Sequence, residues 1–169
     1  MTKLRIGHGY DIHRLTAGRR CVLGGVEIPS DVGPDGHSDA DVLIHAIMDA
    51  LLGAASLGDI GQLFPNTDAK WKDVSSLVML QEVCRRVRAE GWEIVNVDST
   101  LVGEKPRVMK HAPEMARVMA AEMGLVPSQI GIKATTNEGL GAIGRNEGIA
   151  AFAVALLTGS GGTGSSRRN

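Results

Sequence analysis

Asp11 and His13 stand two residues apart in the run Gly7-His8-Gly9-Tyr10-Asp11-Ile12-His13. Alternate side chains of a strand share a face, so a strand here presents a carboxylate and an imidazole together. A second run, His37-Ser38-Asp39-Ala40-Asp41-Val42-Leu43-Ile44-His45, brings two more imidazoles and two more carboxylates to the entrance of a helix. Asp11, His13 and His45 make a set of two imidazoles and one carboxylate that suits zinc or another divalent transition metal and leaves a fourth position open, which is catalytic in style. Spacing alone leaves it open whether the strand and the helix meet. Asp41, His45 and Asp49 fall one helical turn apart, and a solvated polar face or an internally satisfied histidine reads equally well from that pattern. If His45 is a ligand, an aspartate of this stripe can hold its second ring nitrogen.

A further candidate lies late in the chain. Lys133-Ala134-Thr135-Thr136-Asn137-Glu138 runs into Gly139, Gly141, Gly144 and Arg145. A strand end of this composition can offer backbone N–H groups to a phosphate, and Glu138 can hold a hard cation such as Mg²⁺ between phosphates. The GxGxxG spacing has no acidic residue at the ribose-reading distance, so it is no dinucleotide fingerprint, and a plain glycine-rich turn is the simpler reading.

These groups need elements to carry them. The pattern predicts a strand over 4–13, a Gly-interrupted pair of short strands over 20–28, a loop over 30–36, and a helix capped by Ser38 or Asp39 that runs to about Leu57. Residues 58–73 read as a long polar loop. Ser75 or Ser76 then caps a helix with apolar Leu77, Leu80, Val83, Cys84 and Val87, stopped by Gly91. A strand over Trp92–Glu104, a helix over Pro113–Met123 and a strand over Ile130–Thr136 follow. Ile149–Leu157 is a nearly unbroken apolar run, consistent with a strand covered on both faces. The fold class is α+β, an α/β sandwich with a mixed sheet and helices packed on one face. One domain spans residues 1–158, and 159–169 form a Gly/Ser-rich tail expected to be disordered.

Composition excludes several functions. A net charge of -1 asks for neither nucleic acid nor an anionic membrane, and 3% aromatic residues leave no platform for stacking single-stranded bases. No window approaches the ~18 apolar residues of a membrane span. Cys21 and Cys84 lack metal or redox spacing and read as small buried hydrophobes. A soluble protein of the reducing cytoplasm fits best.

Eight blocks in order carry a resemblance: Gly-His-Gly-Tyr-Asp-Ile-His, Gly-Gly-Val-Glu-Ile-Pro, His-Ser-Asp-Ala-Asp-Val-Leu-Ile-His-Ala, Asp-Ala-Leu-Leu-Gly-Ala, Leu-Gly-Asp-Ile-Gly, Phe-Pro-Asn-Thr-Asp, Lys-Ala-Thr-Thr-Asn-Glu and Gly-Arg-Asn-Glu-Gly-Ile-Ala. Across nearly all of residues 4–157 the chain resembles the 2-C-methyl-D-erythritol 2,4-cyclodiphosphate synthase family. The resemblance implies a lyase of non-mevalonate isoprenoid biosynthesis. It would convert 4-diphosphocytidyl-2-C-methyl-D-erythritol 2-phosphate to the cyclic diphosphate and CMP.

By motif position, the resemblance makes Asp11, His13 and His45 zinc ligands and Glu138 the ligand of Mg²⁺ or Mn²⁺. His37 and Thr136 become the catalytic hydrogen-bond donors, and Ser38 holds the phosphate end. Asp59 and Gly61 take the erythritol hydroxyls, beside Phe64 and Asp68. Gly103, Pro106, Arg107, Met109, Ala134 and Thr135 form the cytidine pocket, and Arg145 is counted among the substrate-binding residues. A homotrimer is implied, with each active site between subunits. Arg107, Asn66 and Ala142 stand where relatives often carry Lys, Asp and Phe. Two other functions use the same residues: a zinc phosphohydrolase with a metal-bound water as nucleophile, and a non-enzymatic trimer that binds isoprenoid phosphates.

Overall fold

The computed structural model describes residues 2–159. Strand β1 (Lys3–Ala17) is the spine, because two neighbours pair with different parts of it. Its length lies antiparallel to the last strand, so Asp11 stands opposite Ala151 and His13 opposite Ile149. Its end, Leu15–Ala17, pairs with the short strand Val32–Pro34. The strand expected over 4–13 therefore continues to Ala17, and part of the expected 30–36 loop is a strand. Three residues of pairing are too few to leave a periodic trace.

In chain order the strands are β1, β2 (Cys21–Leu23), β3 (Val26–Ile28), β4 (Val32–Pro34), β5 (Glu93–Val102), β6 (Ile130–Thr135) and β7 (Gly148–Gly159). The helices are α1 (Val42–Ala55), α2 (Ile60–Leu63), α3 (Ser76–Ala89), α4 (Ala112–Met123) and α5 (Gly141–Gly144). The main sheet has the order β4-β1-β7-β5-β6, with β2-β3 as a separate hairpin. β5 and β6 are parallel and the other neighbours antiparallel, so the expected mixed sheet is present. α1 lies across β1 and β7, α3 packs on α1, and α4 joins α3 to β6, all over one face.

α1 is apolar nearly all round because it is sandwiched between the sheet and α3. Its N-cap is Asp41, three residues after Ser38 and two after Asp39. Asp41 is fully buried and accepts N–H groups from Ile44, Gly24 and Gly25, so one carboxylate caps the helix and pins the β2-β3 turn. Asp49 accepts the Ile60 N–H at 2.8 Å and fastens α2. The Asp41/His45/Asp49 stripe is thus no solvated face, and neither aspartate holds His45. α2 and a 3-10 turn at Ala69–Trp71 occupy the stretch expected to be an unstructured loop over 58–73. Ser75 caps α3 as expected.

Odd-numbered residues of β1 face α1, and even-numbered ones face away. A Cβ on Gly7 or Gly9 would come within 1.9 Å of the Ala50 and Ala46 carbonyl oxygens, respectively. The two glycines and the Ala46/Ala50/Ala54 stripe of α1 let backbone meet backbone, which sets His45 down beside Asp11 and His13.

The opposite face of the sheet is open. Leu4, Ile6, Tyr10 and Ile12 of β1 lie there with Phe152 and Val154 of β7, and Ile6 is 73% exposed. Phe152 and Val154 are 43% and 44% exposed, so in the single chain β7 is covered on one face, not on both. Tyr10 and His8 stack around Phe152 on this face, away from the metal motif. β7 also reaches Gly159, which pairs with Lys3, so the first residue of the expected tail belongs to the sheet; the rest of that stretch, residues 160–169, lies outside the described residues. No helix among the described residues is long and apolar enough to cross a membrane. Cys21 and Cys84 are free and buried, and burial pushes their thiols up to about 11 and about 12.

Candidate functional site

The strand and the helix do meet. Asp11 Oδ2 lies 3.0 Å from His13 Nε2 and 3.0 Å from His45 Nδ1, and the two ring nitrogens are 3.2 Å apart. These three atoms make a nearly equilateral triangle. A tetrahedral cation with bonds of about 2.05 Å requires donor–donor edges of about 3.3 Å, so small outward shifts admit one. Burial opposes charge on Asp11, yet the hydrogen bonds and positive potential of His13 and His45 outweigh it and hold the carboxyl well below the usual range. Burial likewise works against the His13 imidazolium, and the Asp11 contact overrides it and raises the pKa.

The rings are oriented as ligands need to be. His13 Nδ1 lies 2.7 Å from the Asp35 carbonyl oxygen, which only accepts, so Nδ1 carries a proton and donates it. In the neutral ring the Nε2 lone pair then points into the triangle. His45 Nε2, on the far side of its ring, meets the hydroxyls of Ser38 at 3.2 Å and Ser76 at 3.1 Å. This donor set, buried on its helix side and open on the other, fits a divalent metal with a vacant fourth position.

The remaining candidates fall into two clefts. The first, about 560 Å³, is lined by His13, His37, Ser38, His45, Gly61 and Phe64. Ile60, Asn66, Trp71 and Met79 are also in its walls, and Trp71 packs edge-on against Phe64 at 4.7 Å. Segment 37–39 reaches this cleft because it is zipped to the start of α3: Asp73 N–H donates to the His37 carbonyl and Asp39 N–H to the Val74 carbonyl. His37 Nε2 lies 3.4 Å from the Asp68 carbonyl. Asp59 and Asp68 do not line the cleft. Asp59 caps α2 and accepts both the backbone and the side-chain N–H of Gln62, while the Asp68 carboxylate caps the 3-10 turn through Lys70 N–H.

The second cleft, about 580 Å³, lies at the ends of β5 and β6. It gathers Gly103, Pro106, Arg107, Met109, Ala134, Thr135, Thr136 and Glu138, with Glu104 and Ile149. Glu138 has a positive φ of 51°, which an unbranched residue adopts at a cost, and its carboxylate accepts the Thr136 hydroxyl at 3.2 Å. The turn does not hold its N–H groups out for a phosphate, since Asn137 N–H and Gly139 N–H both donate to Glu104 Oε1. Arg145 lines neither cleft and pairs with Glu147 at 2.8 Å. The two clefts share no lining residue.

Sequence reasoning missed Asp35, Ser76, Asp39 and Glu104. Asp35 acts through its main chain, for which no side-chain signal exists. Ser76 looked like a cap, and Glu104 sat beside a named pocket but has its partners more than thirty residues on.

The YgbB family matches residues 4–158. The 2-C-methyl-D-erythritol 2,4-cyclodiphosphate synthase of Nostoc punctiforme is 56% identical over 93% of this chain and 98% of its own. That of Synechococcus elongatus is 57% identical with the same coverage. Among solved structures, a CDP-bound 2C-methyl-D-erythritol-2,4-cyclodiphosphate synthase superposes with a TM-score of 0.83 at 42% identity, over 90% of this chain and 99% of that one. The Plasmodium falciparum IspF complex with CDP gives 0.82 at 32% identity, over 93% and 97%. Matched by the family model over residues 4–158 and by these relatives over almost their whole length, the chain belongs to the YgbB family of 2-C-methyl-D-erythritol 2,4-cyclodiphosphate synthases.

Proposed function

We propose that the protein cyclises 4-diphosphocytidyl-2-C-methyl-D-erythritol 2-phosphate to 2-C-methyl-D-erythritol 2,4-cyclodiphosphate with release of CMP, in the cytoplasmic non-mevalonate route to isoprenoids. The observation that carries this reading is the Asp11–His13–His45 triangle at the mouth of a cleft wide enough for a phosphorylated tetritol. A 2-phosphate oxygen attacks the β-phosphorus, and the bond from that phosphorus to the bridging oxygen breaks, leaving its electron pair on CMP. The nucleophile is already an anion, so the protein supplies position and charge neutralisation and needs no serine, cysteine or general base.

Asp11, His13 and His45 are the residues that would hold Zn²⁺, which when bound would supply Lewis-acid charge to a substrate phosphate oxygen. Glu138, whose carboxylate stands in a positive-φ turn lining the second cleft, would hold Mg²⁺ or Mn²⁺, which would neutralise charge on the phosphates. His37 and Thr136 donate hydrogen bonds to oxygens that gain charge as CMP departs. Ser38 grips the phosphate end and Gly61 and Phe64 line the tetritol end, while Asp59 and Asp68 shape that end by capping α2 and the 3-10 turn. Gly103, Pro106, Arg107, Met109, Ala134 and Thr135 enclose the cytidine. A CDP complex of the Plasmodium falciparum relative supports that nucleotide assignment.

The molecule works as a homotrimer in which the metal cleft of one subunit faces the cytidine cleft of the next. Two half-sites without a common wall and an open apolar sheet face support this arrangement, with Arg145 near the three-fold axis. The test is incubation with the cytidine substrate followed by phosphorus NMR. Cyclic diphosphate and CMP are expected; a linear phosphate product would indicate a hydrolase and overturn the reading.

A further inference from the structure

The environment of His45 holds more than its ligand geometry requires. Ser76 is fully buried at the first turn of α3, and both its backbone and its side-chain donor go to one group: its N–H reaches Asp39 Oδ2 at 2.9 Å, and its hydroxyl reaches Asp39 Oδ1. A carboxylate accepts only, so the Ser76 proton points at Asp39. The hydroxyl oxygen then presents lone pairs alone to His45 Nε2, 3.1 Å away. Its neighbour differs. Ser38 Oγ accepts the Ala40 N–H at 3.2 Å and keeps its own proton unassigned while lining the first cleft.

We propose that Ser76, held by Asp39, is a positioning residue of the metal centre: it accepts the Nε2 proton of His45, fixes that ring's tautomer with a bare Nδ1 in the triangle, and so releases the Ser38 hydroxyl for the substrate phosphate. A neutral imidazole has one N–H; with a cation in place of the Asp11 contact at Nδ1 that proton belongs at Nε2, where two hydroxyls compete for it. The Asp39 contact decides the competition, because it leaves Ser76 able only to accept. The carboxylate also raises the basicity of that oxygen, and through it the donor strength of Nδ1 toward a cation. Asp39 is suited to this by its place: its own N–H is tied to Val74 of the segment that leads into α3, so ligand helix and relay are registered by main-chain bonds.

The inference rests on the zinc reading of the triangle, and the experiment separates the two. Zinc affinity of the full-length protein is measured by chelator competition for wild type, Ser76→Ala, Asp39→Asn and Ser38→Ala. The visible spectrum of the Co²⁺ forms and the melting temperature of the metal-free forms are recorded in parallel. Ser76→Ala and Asp39→Asn should weaken zinc binding about 10–100-fold and shift the cobalt bands. Ser38→Ala should keep zinc affinity within about threefold and raise KM instead. A capping role alone would lower the melting temperature of metal-free Ser76→Ala with zinc affinity within about twofold of wild type, and that result overturns the proposal. Should Ser76→Ala fail to fold, ¹⁵N NMR of histidine-labelled, zinc-loaded wild type decides: His45 must be metal-bound at Nδ1 and protonated at Nε2, and the reverse assignment overturns it. A wild type that binds no zinc overturns the metal reading together with this one.

Discussion

Burial at Asp41 is complete, and three backbone N–H groups converge on its carboxylate, yet desolvation outweighs them. With the nearby Asp39 charge it pushes the carboxyl up to about 6. The direction fixes the pH response. Below about pH 4 the group is protonated in both states. Between about pH 4 and 6 the unfolded chain ionises first, so the contribution of Asp41 to stability falls as pH rises through that window. A shift of this size is worth roughly 3 kcal/mol, lost by pH 7. A carboxyl ¹³C NMR titration should place the midpoint near 6; a midpoint below 4 would mean that the hydrogen bonds, not burial, dominate. At this scale legibility follows the type of contact. Asp11 and His13 could be paired from sequence because a strand has period two. The partners of the His13 and His45 rings could not, because one is the Asp35 main chain and another a hydroxyl that stands 31 residues from His45.

The crossing of α1 over β1 is what turns those residues into a site, and it depends on the absence of two methyl groups. Gly9→Ala places a Cβ 1.9 Å from the Ala46 oxygen, so the helix must lift and carry His45 with it. The expected result is a loss of about 1–3 kcal/mol in urea unfolding, with zinc affinity reduced about tenfold or more. Gly53 in the same helix has only the His8 carbonyl at 4.0 Å, so Gly53→Ala should stabilise by about 0.5–1 kcal/mol and leave zinc binding unchanged. Equal effects at the two positions would show that helix propensity, not the close approach, is at work. The long elements were legible because α1, α3 and α4 each bury enough residues to impose a period. β4 and α2 were not, since three or four residues held by Asp49 or by the end of β1 carry no pattern of their own. Glu104 shows the same limit: its carboxylate accepts the Asn137 and Gly139 N–H groups and so ties the loop after β5 to the Glu138 turn.

The run Ile149–Leu157 reads as a strand covered twice, and the single chain covers it once. The two statements agree if the open face of the sheet is closed by further copies, in which case the apolar pattern describes the assembly and not the protomer. Ile6 tests this. At 73% exposure its replacement by glutamate should cost the isolated subunit no more than about 0.5 kcal/mol. Inside an assembly the same carboxylate would be buried without a partner on each of three strands. Sedimentation velocity of Ile6→Glu is therefore expected to show a folded species near the 17.8 kDa subunit mass, against about three times that mass for wild type. If the proposed assembly sets the two clefts of neighbouring subunits against each other, turnover should fall about a hundredfold or more in a lone subunit. Zinc affinity should persist, since Asp11, His13, His45 and Ser76 all belong to one chain. A variant that stays assembled and active would locate the subunit contact elsewhere and leave the open sheet face without its proposed role.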